Sequence, residues 1–184
     1  MDKRLLIEFT PGIAFLIGNA AGGIFMGAGL AALATVIAMA LRWHWDRSLP
    51  WLAISIFGLT AVLLVAGLLF DDTTWVKVSN TVGSLAFAVI VGLGLLMRPN
   101  LLKRTLGYSI QMEDRGWVLL HWVWIGLSLL RAAANEVMWR NFPDGVWAVY
   151  NGLSDIGWVL VIVVATSVVA HVFWNGADHQ QRVG

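Results

Sequence analysis

The sequence predicts an all-α, polytopic membrane helix bundle with five full spans and a short N-terminal membrane helix. Of its 184 residues, 59% are hydrophobic and 12% are charged, whereas a soluble domain carries about 25% charged residues. The mean hydropathy is +0.76, and the apolar segments approach the roughly 20 residues that cross a bilayer. Such spans use most of the chain, which is predicted to form a single integral membrane domain over residues 1–184 without a separate aqueous domain.

Five apolar segments are long enough to cross the hydrocarbon core at about 1.5 Å per residue. The fourth of them is the most polar, because it carries His121, Arg131 and Asn135. Ionisable groups inside a bilayer are costly, so each of them marks a functional or structural site. The predicted spans are 24–41, 51–70, 78–97, 117–138 and 146–174.

The N-terminal segment 5–18 is shorter and contains Glu8 and Pro11. Its length predicts a short or half-inserted membrane helix that turns back over residues 19–23. The segment superficially resembles a signal peptide, but Glu8 and Pro11 interrupt its apolar region and favour a segment that the mature protein keeps. Glu8 is predicted to be a structural carboxylate that caps or pairs locally, with a proton relay as the alternative.

Basic residues in short loops predict the orientation, because such loops stay in the cytoplasm. Two basic residues lie between the first and second spans, and four lie between residues 98 and 115. The turns 71–77 and 140–144 are acidic or mixed and fit the outer side. We expect segment 5–18 to cross the membrane, which places both termini in the cytoplasm.

Eleven Trp residues test this layout, because indole rings concentrate at membrane–water boundaries. Within the predicted spans, Trp158 alone falls deep. The three near the predicted outer boundary are Trp75, Trp139 and Trp147. The seven near the inner boundary are Trp43, Trp45, Trp51, Trp117, Trp122, Trp124 and Trp174.

Residues 99–106 are predicted to form a short interfacial helix on the cytoplasmic surface. Pro99 stands just inside its start, leucines follow at helical spacing, and Gly107 ends it. Membrane lipids are the expected partners of this surface, although the basic cluster beside it is small for a dedicated site for anionic lipids.

Two interpretations of the polar residues within the spans stay open. Arg131 and Asp155 fall at similar depth on helices joined by a short turn, and an Asn lies one turn from each. Either these side chains line a pocket in the outer half that binds a headgroup or solute, or they form an interhelical lock, the commoner arrangement. The candidate residues are Asn80, Arg131, Asn135, Glu136, Asn151 and Asp155.

The sequence contains no Cys, no nucleophile–base pair and no phosphate-binding loop. A net charge of +1 provides no field that attracts nucleic acid. Three imidazoles near the inner boundary suggest haem or a metal as a remote alternative, but their spacing is not that of metal ligands. No cofactor is therefore predicted for His44, His121 and His171.

Small residues recur four positions apart in two of the apolar segments. Such spacings let helix backbones approach closely, either within one chain or between chains. They predict tight packing and are compatible with a homo-oligomer. The pairs are Gly18 and Gly22, Gly23 and Gly27, and Ala88 and Gly92.

Several separated motifs follow one another in an order that covers nearly the whole chain. They are Glu8-Phe9-Thr10-Pro11, Asp71-Asp72 with Trp75-Val76-Lys77, the run from Arg98 to Gly107, Trp117, Asn135-Glu136, Trp139 and the run from Trp147 to Asn151. This order resembles the intracellular septation protein A family of bacterial inner-membrane proteins. The resemblance implies a role in cell-envelope biogenesis, septation or envelope integrity in Gram-negative bacteria and implies no established catalytic activity.

The first functional hypothesis is a non-enzymatic membrane protein that acts through lateral contacts with envelope-synthesis or division proteins. The alternative is a small transporter or lipid-handling protein that uses the polar pocket. A water-accessible cavity that reaches Arg131 and Asn135 favours the alternative, and a dry, fully paired seam favours lateral contacts. A redox protein with a cofactor on the three imidazoles is the least favoured hypothesis.

Overall fold

The computed structural model describes residues 7, 9–46, 51–107 and 109–174, and it is helical throughout these ranges apart from turns. One isolated antiparallel bridge joins Met112 to Trp174. The predicted all-α class is confirmed. The helices are α1 (Thr10–Asp46), α2 (Trp51–Phe70), α3 (Thr74–Gly94), α4 (Leu101–Leu106), α5 (Asp114–Asn141) and α6 (Asp144–Val172).

Four of these helices, α1, α3, α5 and α6, are long and apolar enough to cross a membrane. The fifth apolar helix, α2, holds a shorter apolar stretch over Phe57–Phe70. Large side chains on the outside of the bundle are apolar, as at Leu69 and Leu96, which are 76% and 80% exposed. A chain with such a surface requires lipid as its solvent.

Helix α3 begins four residues before the predicted start at residue 78. The Asp72 side chain accepts a hydrogen bond of 2.8 Å from the Thr74 backbone N–H, and this bond satisfies one free donor at the helix start. The sequence-based prediction that residues 74–77 belong to a turn was therefore wrong. Lys77 lies on the first turn of a helix and is buried instead of exposed.

Helix α1 changes direction sharply at two consecutive glycines. Gly22 and Gly23 leave the helical region, and Gly23 takes a φ of +81°, which favours glycine. A Cβ atom placed on Gly18 would lie 2.8 Å from the Gly27 Cα, so the chain folds back on itself. Before this turn, residues 10–21 form a helix of about 18 Å, roughly half the hydrocarbon thickness.

The half-helix 10–21 packs against α6, the last helix among the described residues. Phe15 and Trp147 meet edge to face with their ring centroids 5.9 Å apart. A Cβ atom on Gly12 would lie 2.9 Å from the Gly152 carbonyl oxygen, so the two backbones are in close contact. Phe15 and Trp147 belong to one buried cluster together with Ile24, Val76 and Ala148.

A second buried cluster fixes α4 at the opposite end of the bundle. Leu102, Trp117 and Leu120 belong to it, with Met112 and Val169 beside them. The predicted interfacial helix over 99–106 is present as α4. It is capped by the Asn100 side chain, which accepts a hydrogen bond of 3.0 Å from the Lys103 backbone N–H.

We call the end of the bundle with the turns at 71–73 and 142–143 the hairpin end, and the end that carries α4 the interfacial-helix end. Some of the small residues predicted to pack closely do so inside the chain, whereas Gly22 and Gly23 are exposed. Gly18 lies against Gly27, and a Cβ atom on Gly92 would meet Ile125 of α5 at 3.7 Å. Glu8 lies outside the described residues, as do both chain termini.

Candidate functional site

A cavity of about 310 Å³ lies within the bundle, between both halves of α1 and helices α2, α3, α5 and α6. We call it the bundle cavity. Its lining contains both apolar and polar side chains, in part from the same helices. The apolar ones, which we call the apolar wall, include Phe15, Ala31, Phe57, Ala61, Leu64 and Phe87. The polar ones, which we call the polar wall, are Thr35, Thr60, Ser79, Asn80, Ser84, Ser128, Arg131, Asn151 and Asp155.

An ion pair between α5 and α6 forms the charged part of the polar wall. The Arg131 Nη2 atom donates to the Asp155 Oδ1 atom, and the guanidinium carbon lies 5.3 Å from the centre of the Trp158 ring. The buried Arg131 Nε–H has no hydrogen-bond partner among the residues that the structure describes. The side chains are 18% and 33% exposed, so the pair is satisfied in part and retains hydrogen-bonding capacity.

An amide pair lies beside the ion pair. The Asn80 Nδ2 atom of α3 donates to the Asn151 Oδ1 atom of α6 over 2.6 Å. Asn151 precedes Asp155 by one helical turn. The amide pair and the ion pair together connect three helices, α3, α5 and α6.

The polar wall lies well inside the bundle. Arg131 is ten residues before the end of α5 at Asn141, and Asp155 is eleven residues after the start of α6 at Asp144. At 1.5 Å per residue these offsets are about 15 Å. The contact between the two charges agrees with the equal depth predicted for them. Both charges lie deeper than predicted, because α5 and α6 extend beyond the predicted ends of the apolar segments.

Four hydroxyl groups of the polar wall donate their proton to the backbone of their own helix. Thr35 donates to the Ala31 carbonyl over 2.8 Å, and Thr60 donates to the Phe57 carbonyl over 3.1 Å. Ser79 and Ser128 make the same kind of bond at 2.6 and 2.7 Å. Each hydroxyl has only one proton, so these side chains can act only as acceptors. Ser128 is 0% exposed, so the acceptors available to the cavity are those of Thr35, Thr60 and Ser79.

Asn135 and Glu136 do not line the bundle cavity. Asn135 is fully buried, and its Nδ2 atom donates to the Lys77 carbonyl and to the Thr81 hydroxyl, both over 2.8 Å. The Trp147 indole N–H donates to the Asn135 Oδ1 atom over 3.0 Å. We call this set the Asn135 cluster.

Glu136 closes the Asn135 cluster toward the hairpin end. Its carboxylate accepts from the Thr81 hydroxyl over 2.7 Å and from the Arg140 Nε–H over 2.7 Å. Nearby, Lys77 forms an ion pair of 2.6 Å with Asp144 at the start of α6. The six candidate residues thus divide into four that line the cavity and two that join helices beside it.

The sequence reasoning missed Lys77, Thr81 and Trp147 as members of the polar network. The signal was present for the first two, because they stand four residues apart and lie on one face of α3. The assignment of Lys77 to an outer turn at residues 71–77, and of Thr81 to the span that follows, hid this relationship. Trp147 was assigned to an interfacial belt, but its exposure is 1%.

Both ring nitrogens of His121 are engaged within the protein. The Nε2 atom accepts a hydrogen bond of 3.4 Å from the Leu102 N–H, so we assign the proton to Nδ1, which contacts the Trp117 carbonyl at 2.8 Å. A metal at this imidazole would displace one of these bonds. His44 and His171 are exposed, and no group of three possible ligands occurs within the described ranges.

A known protein family matches the chain over almost its full length. The model of intracellular septation protein A matches residues 3–174. The chain belongs to this family. Its relatives carry the name inner membrane-spanning protein, and together with the apolar helices they identify a multi-pass protein of the inner membrane.

Three curated relatives illustrate the similarity. The inner membrane-spanning protein YciB of Rickettsia bellii is 30% identical over 166 residues, which cover 87% of this chain and 91% of that protein. The YciB protein of Ralstonia pickettii is 27% identical over 183 residues, with 97% and 92% covered. The YciB protein of Brucella melitensis is 31% identical over 147 residues, with 78% and 64% covered. No solved structure matches this chain.

Proposed function

We propose that this protein supports the bacterial cell envelope as a non-enzymatic membrane protein that binds the polar headgroup of an amphipathic molecule in the bundle cavity. The observation that carries the proposal is the Arg131–Asp155 ion pair on the wall of a cavity of about 310 Å³. Charged side chains within a membrane cost free energy, and they therefore mark functional sites. The family's link with septation supplies the envelope context.

The two walls of the bundle cavity favour an amphipathic ligand over a solute that is polar throughout. The apolar wall includes Phe57, Leu64 and Phe87, which suit hydrocarbon. The polar wall offers an ion pair, an amide pair and hydroxyl oxygens, which suit a headgroup. Sites for small ligands are typically apolar with a few convergent polar groups.

The proposed topology has five full spans, with residues 10–21 as a short membrane helix that precedes them. The hairpin end faces the outer side and the interfacial-helix end faces the cytoplasm, because the basic residues concentrate between residues 98 and 115. Both termini are cytoplasmic in this arrangement. A headgroup would then enter the bundle cavity from the outer leaflet.

Lateral contacts with envelope-synthesis or division proteins were the first hypothesis from the sequence, and they stay a prediction. Of the small residues that suggested close contacts between helices, Gly18 and Gly27 pack against each other inside this chain. The bundle cavity, with its charged lining, supports ligand binding. Cross-linking in cells followed by partner identification tests the lateral hypothesis directly.

Filling the bundle cavity tests the proposed function. Ala61 lines the cavity, whereas the adjacent Val62 is 66% exposed on the outside of the same helix. Ala61→Trp places an indole in the cavity, and Val62→Trp is the matched control. We expect native mass spectrometry of the purified protein to show phospholipid adducts that persist in wild type and Val62→Trp and are lost in Ala61→Trp.

The results of this experiment distinguish binding in the cavity from binding at the protein surface. Adducts that survive equally in Ala61→Trp would overturn the proposal, provided that its thermal unfolding matches that of Val62→Trp. A second filling variant, Ala31→Trp on α1, repeats the test if Ala61→Trp does not fold.

A further inference from the structure

We infer that the bundle cavity selects a zwitterionic headgroup whose cation is a primary ammonium, as in a phosphoethanolamine lipid. This inference rests on the proposed function and specifies its ligand. It depends on three properties of the polar wall: its hydrogen-bond acceptors, its charge balance and the free donor on Arg131.

The polar wall offers oxygens that can only accept hydrogen bonds. The hydroxyl protons of Thr35, Thr60 and Ser79 are donated to backbone carbonyls, which leaves three such oxygens in the cavity lining. The Asp155 carboxylate adds further acceptor sites. A group that donates several hydrogen bonds suits these acceptors, and a primary ammonium donates three.

The charge balance of the wall calls for a ligand that is neutral overall. Arg131 and Asp155 contribute one charge of each sign, and they line the same cavity. A cation alone would leave Arg131 facing an additional positive charge, and an anion alone would do the same to Asp155. A zwitterion places its ammonium near the carboxylate and its phosphate near the guanidinium, so both charges keep a counterion.

The unpartnered donor of Arg131 fits the phosphate half of such a headgroup. The Nε–H is buried and has no partner among the described residues, while the Nη2 atom is bonded to Asp155. Guanidinium groups bind phosphate oxygens through several N–H donors in a fixed geometry. One guanidinium can therefore hold the carboxylate and a phosphate oxygen at the same time.

The same wall discriminates against two other common headgroups. A phosphocholine has a quaternary ammonium with no N–H, so it forms no hydrogen bond with the acceptor oxygens of the wall. A phosphoglycerol headgroup carries a net negative charge and brings no cation to Asp155. Each interaction that a headgroup fails to form with the wall lowers its affinity relative to that of phosphoethanolamine.

Competition among short-chain lipids tests this selectivity on the full-length protein in detergent after removal of bound lipid. The probes are phosphatidylethanolamine, phosphatidylcholine and phosphatidylglycerol with identical acyl chains, and phosphoethanolamine without chains. We expect phosphatidylethanolamine to bind about tenfold or more tightly than the other two lipids, because each lost hydrogen bond costs about 1 to 1.5 kcal/mol. We expect free phosphoethanolamine to bind more weakly than the lipid, because it buries no hydrocarbon.

A double variant that lacks two hydroxyl groups of the polar wall tests the role of the acceptors. Thr35→Val combined with Thr60→Val removes two acceptors without altering the ion pair, and both hydroxyls bond only to their own helix. Thr105→Val is the matched control, because Thr105 makes the same bond to the Leu101 carbonyl in α4, outside the cavity. We expect the double variant to lose the preference for phosphatidylethanolamine and the control to keep it.

The outcomes separate this inference from the proposed function. Equal affinity for the three lipids, with binding still blocked by Ala61→Trp, would overturn the selectivity and leave the proposed function standing. Absence of cavity-dependent binding for every lipid would overturn both. Binding of free phosphoethanolamine as tight as that of the lipid would assign the cavity to a soluble ammonium compound and overturn the proposed amphipathic ligand.

Discussion

The Trp147 indole N–H donates to the side-chain oxygen of Asn135 over 3.0 Å, and the two residues are 1% and 0% exposed. The sequence analysis assigned the two residues to different features, Trp147 to an interfacial belt and Asn135 to a polar pocket or interhelical lock. Their bond joins α5 to α6, and the Asn135 amide also joins α5 to α3. The Asn135 cluster therefore holds three helices together at one point.

Replacement of Asn135 by Ala should destabilise the protein by about 2 kcal/mol, because the Trp147 N–H and the Lys77 carbonyl lose a buried partner. The measurement is unfolding in a denaturing detergent, followed by Trp fluorescence. Asn141→Ala is the control, since Asn141 is exposed and bonds only to its own helix. A cycle with Trp147→Phe should give a coupling energy of about 1 kcal/mol, and additive losses would contradict the proposed bond.

Replacement of Asp155 by Asn should leave the Arg131 guanidinium without its counterion and lower stability by about 3 kcal/mol. The yield of folded protein should fall with it. The double variant Arg131→Gln, Asp155→Asn should recover most of the loss, because it contains no unpaired charge. An unchanged melting temperature in detergent for Asp155→Asn alone would show that the pair contributes nothing.

Arg140→Gln provides the comparison for the ion pair, because Arg140 pairs with Glu136 but its side chain is 61% exposed. An exposed pair at this helix spacing contributes about 0.3 to 0.5 kcal/mol. The loss in Arg140→Gln should therefore be several times smaller than the loss in Asp155→Asn. Equal losses would indicate that depth within the bundle does not set the strength of these pairs.

Gly18→Ala should destabilise the N-terminal turn by about 1 to 3 kcal/mol, because the added methyl group would meet the Gly27 Cα at 2.8 Å. Gly29→Ala is the matched control on the same helix, since nothing lies within 4 Å of its Cβ position. That change should be neutral or slightly stabilising, as alanine is the better helix former. Thermal unfolding of both variants gives the comparison, and equal losses would exclude a close approach at Gly18.

The Asp72 carboxylate should make stability depend on pH in the acidic range. The Thr74 backbone N–H, the Thr74 side chain and the Lys77 charge lower the pKa of Asp72 below its ordinary value of 3.8, against a smaller opposing effect of burial. A lowered folded-state pKa stabilises the protein at higher pH, and this contribution disappears as pH falls through that lowered pKa. Asp72→Asn should therefore melt below wild type at neutral pH, and the two should converge in acid. A difference that stays constant with pH would contradict this.

The helical class and most helix bounds were predictable because apolar length and turn residues act locally. Segment 51–70 coincides with α2, and the turn expected over 19–23 includes the observed break at Gly22 and Gly23. Partner choice across helices was only partly predictable. Counting residues from the helix ends placed Arg131 and Asp155 at the same depth. This count gave no information on which neighbouring helix packs against each face of α5.

Rotation about the helix axis explains what the sequence reasoning missed. Asn135 lies one turn from Arg131 and was grouped with it, yet it bonds to Thr81 and Trp147 away from the bundle cavity. The rotation of a helix about its axis decides whether an amide side chain faces a cavity or a packed helix interface. Periodicity within one helix does not contain that information, because it depends on how the neighbouring helices pack.

The contact of Phe15 with Trp147 has a consequence for how the chain assembles. Residues 10–21 find their packing surface on α6, which begins more than 120 residues later in the chain. Helix α6 must therefore be synthesised before residues 10–21 can dock on it, and such sequence-distant contacts form slowly. A nascent chain that stops before residue 144 leaves residues 10–21 without this packing surface.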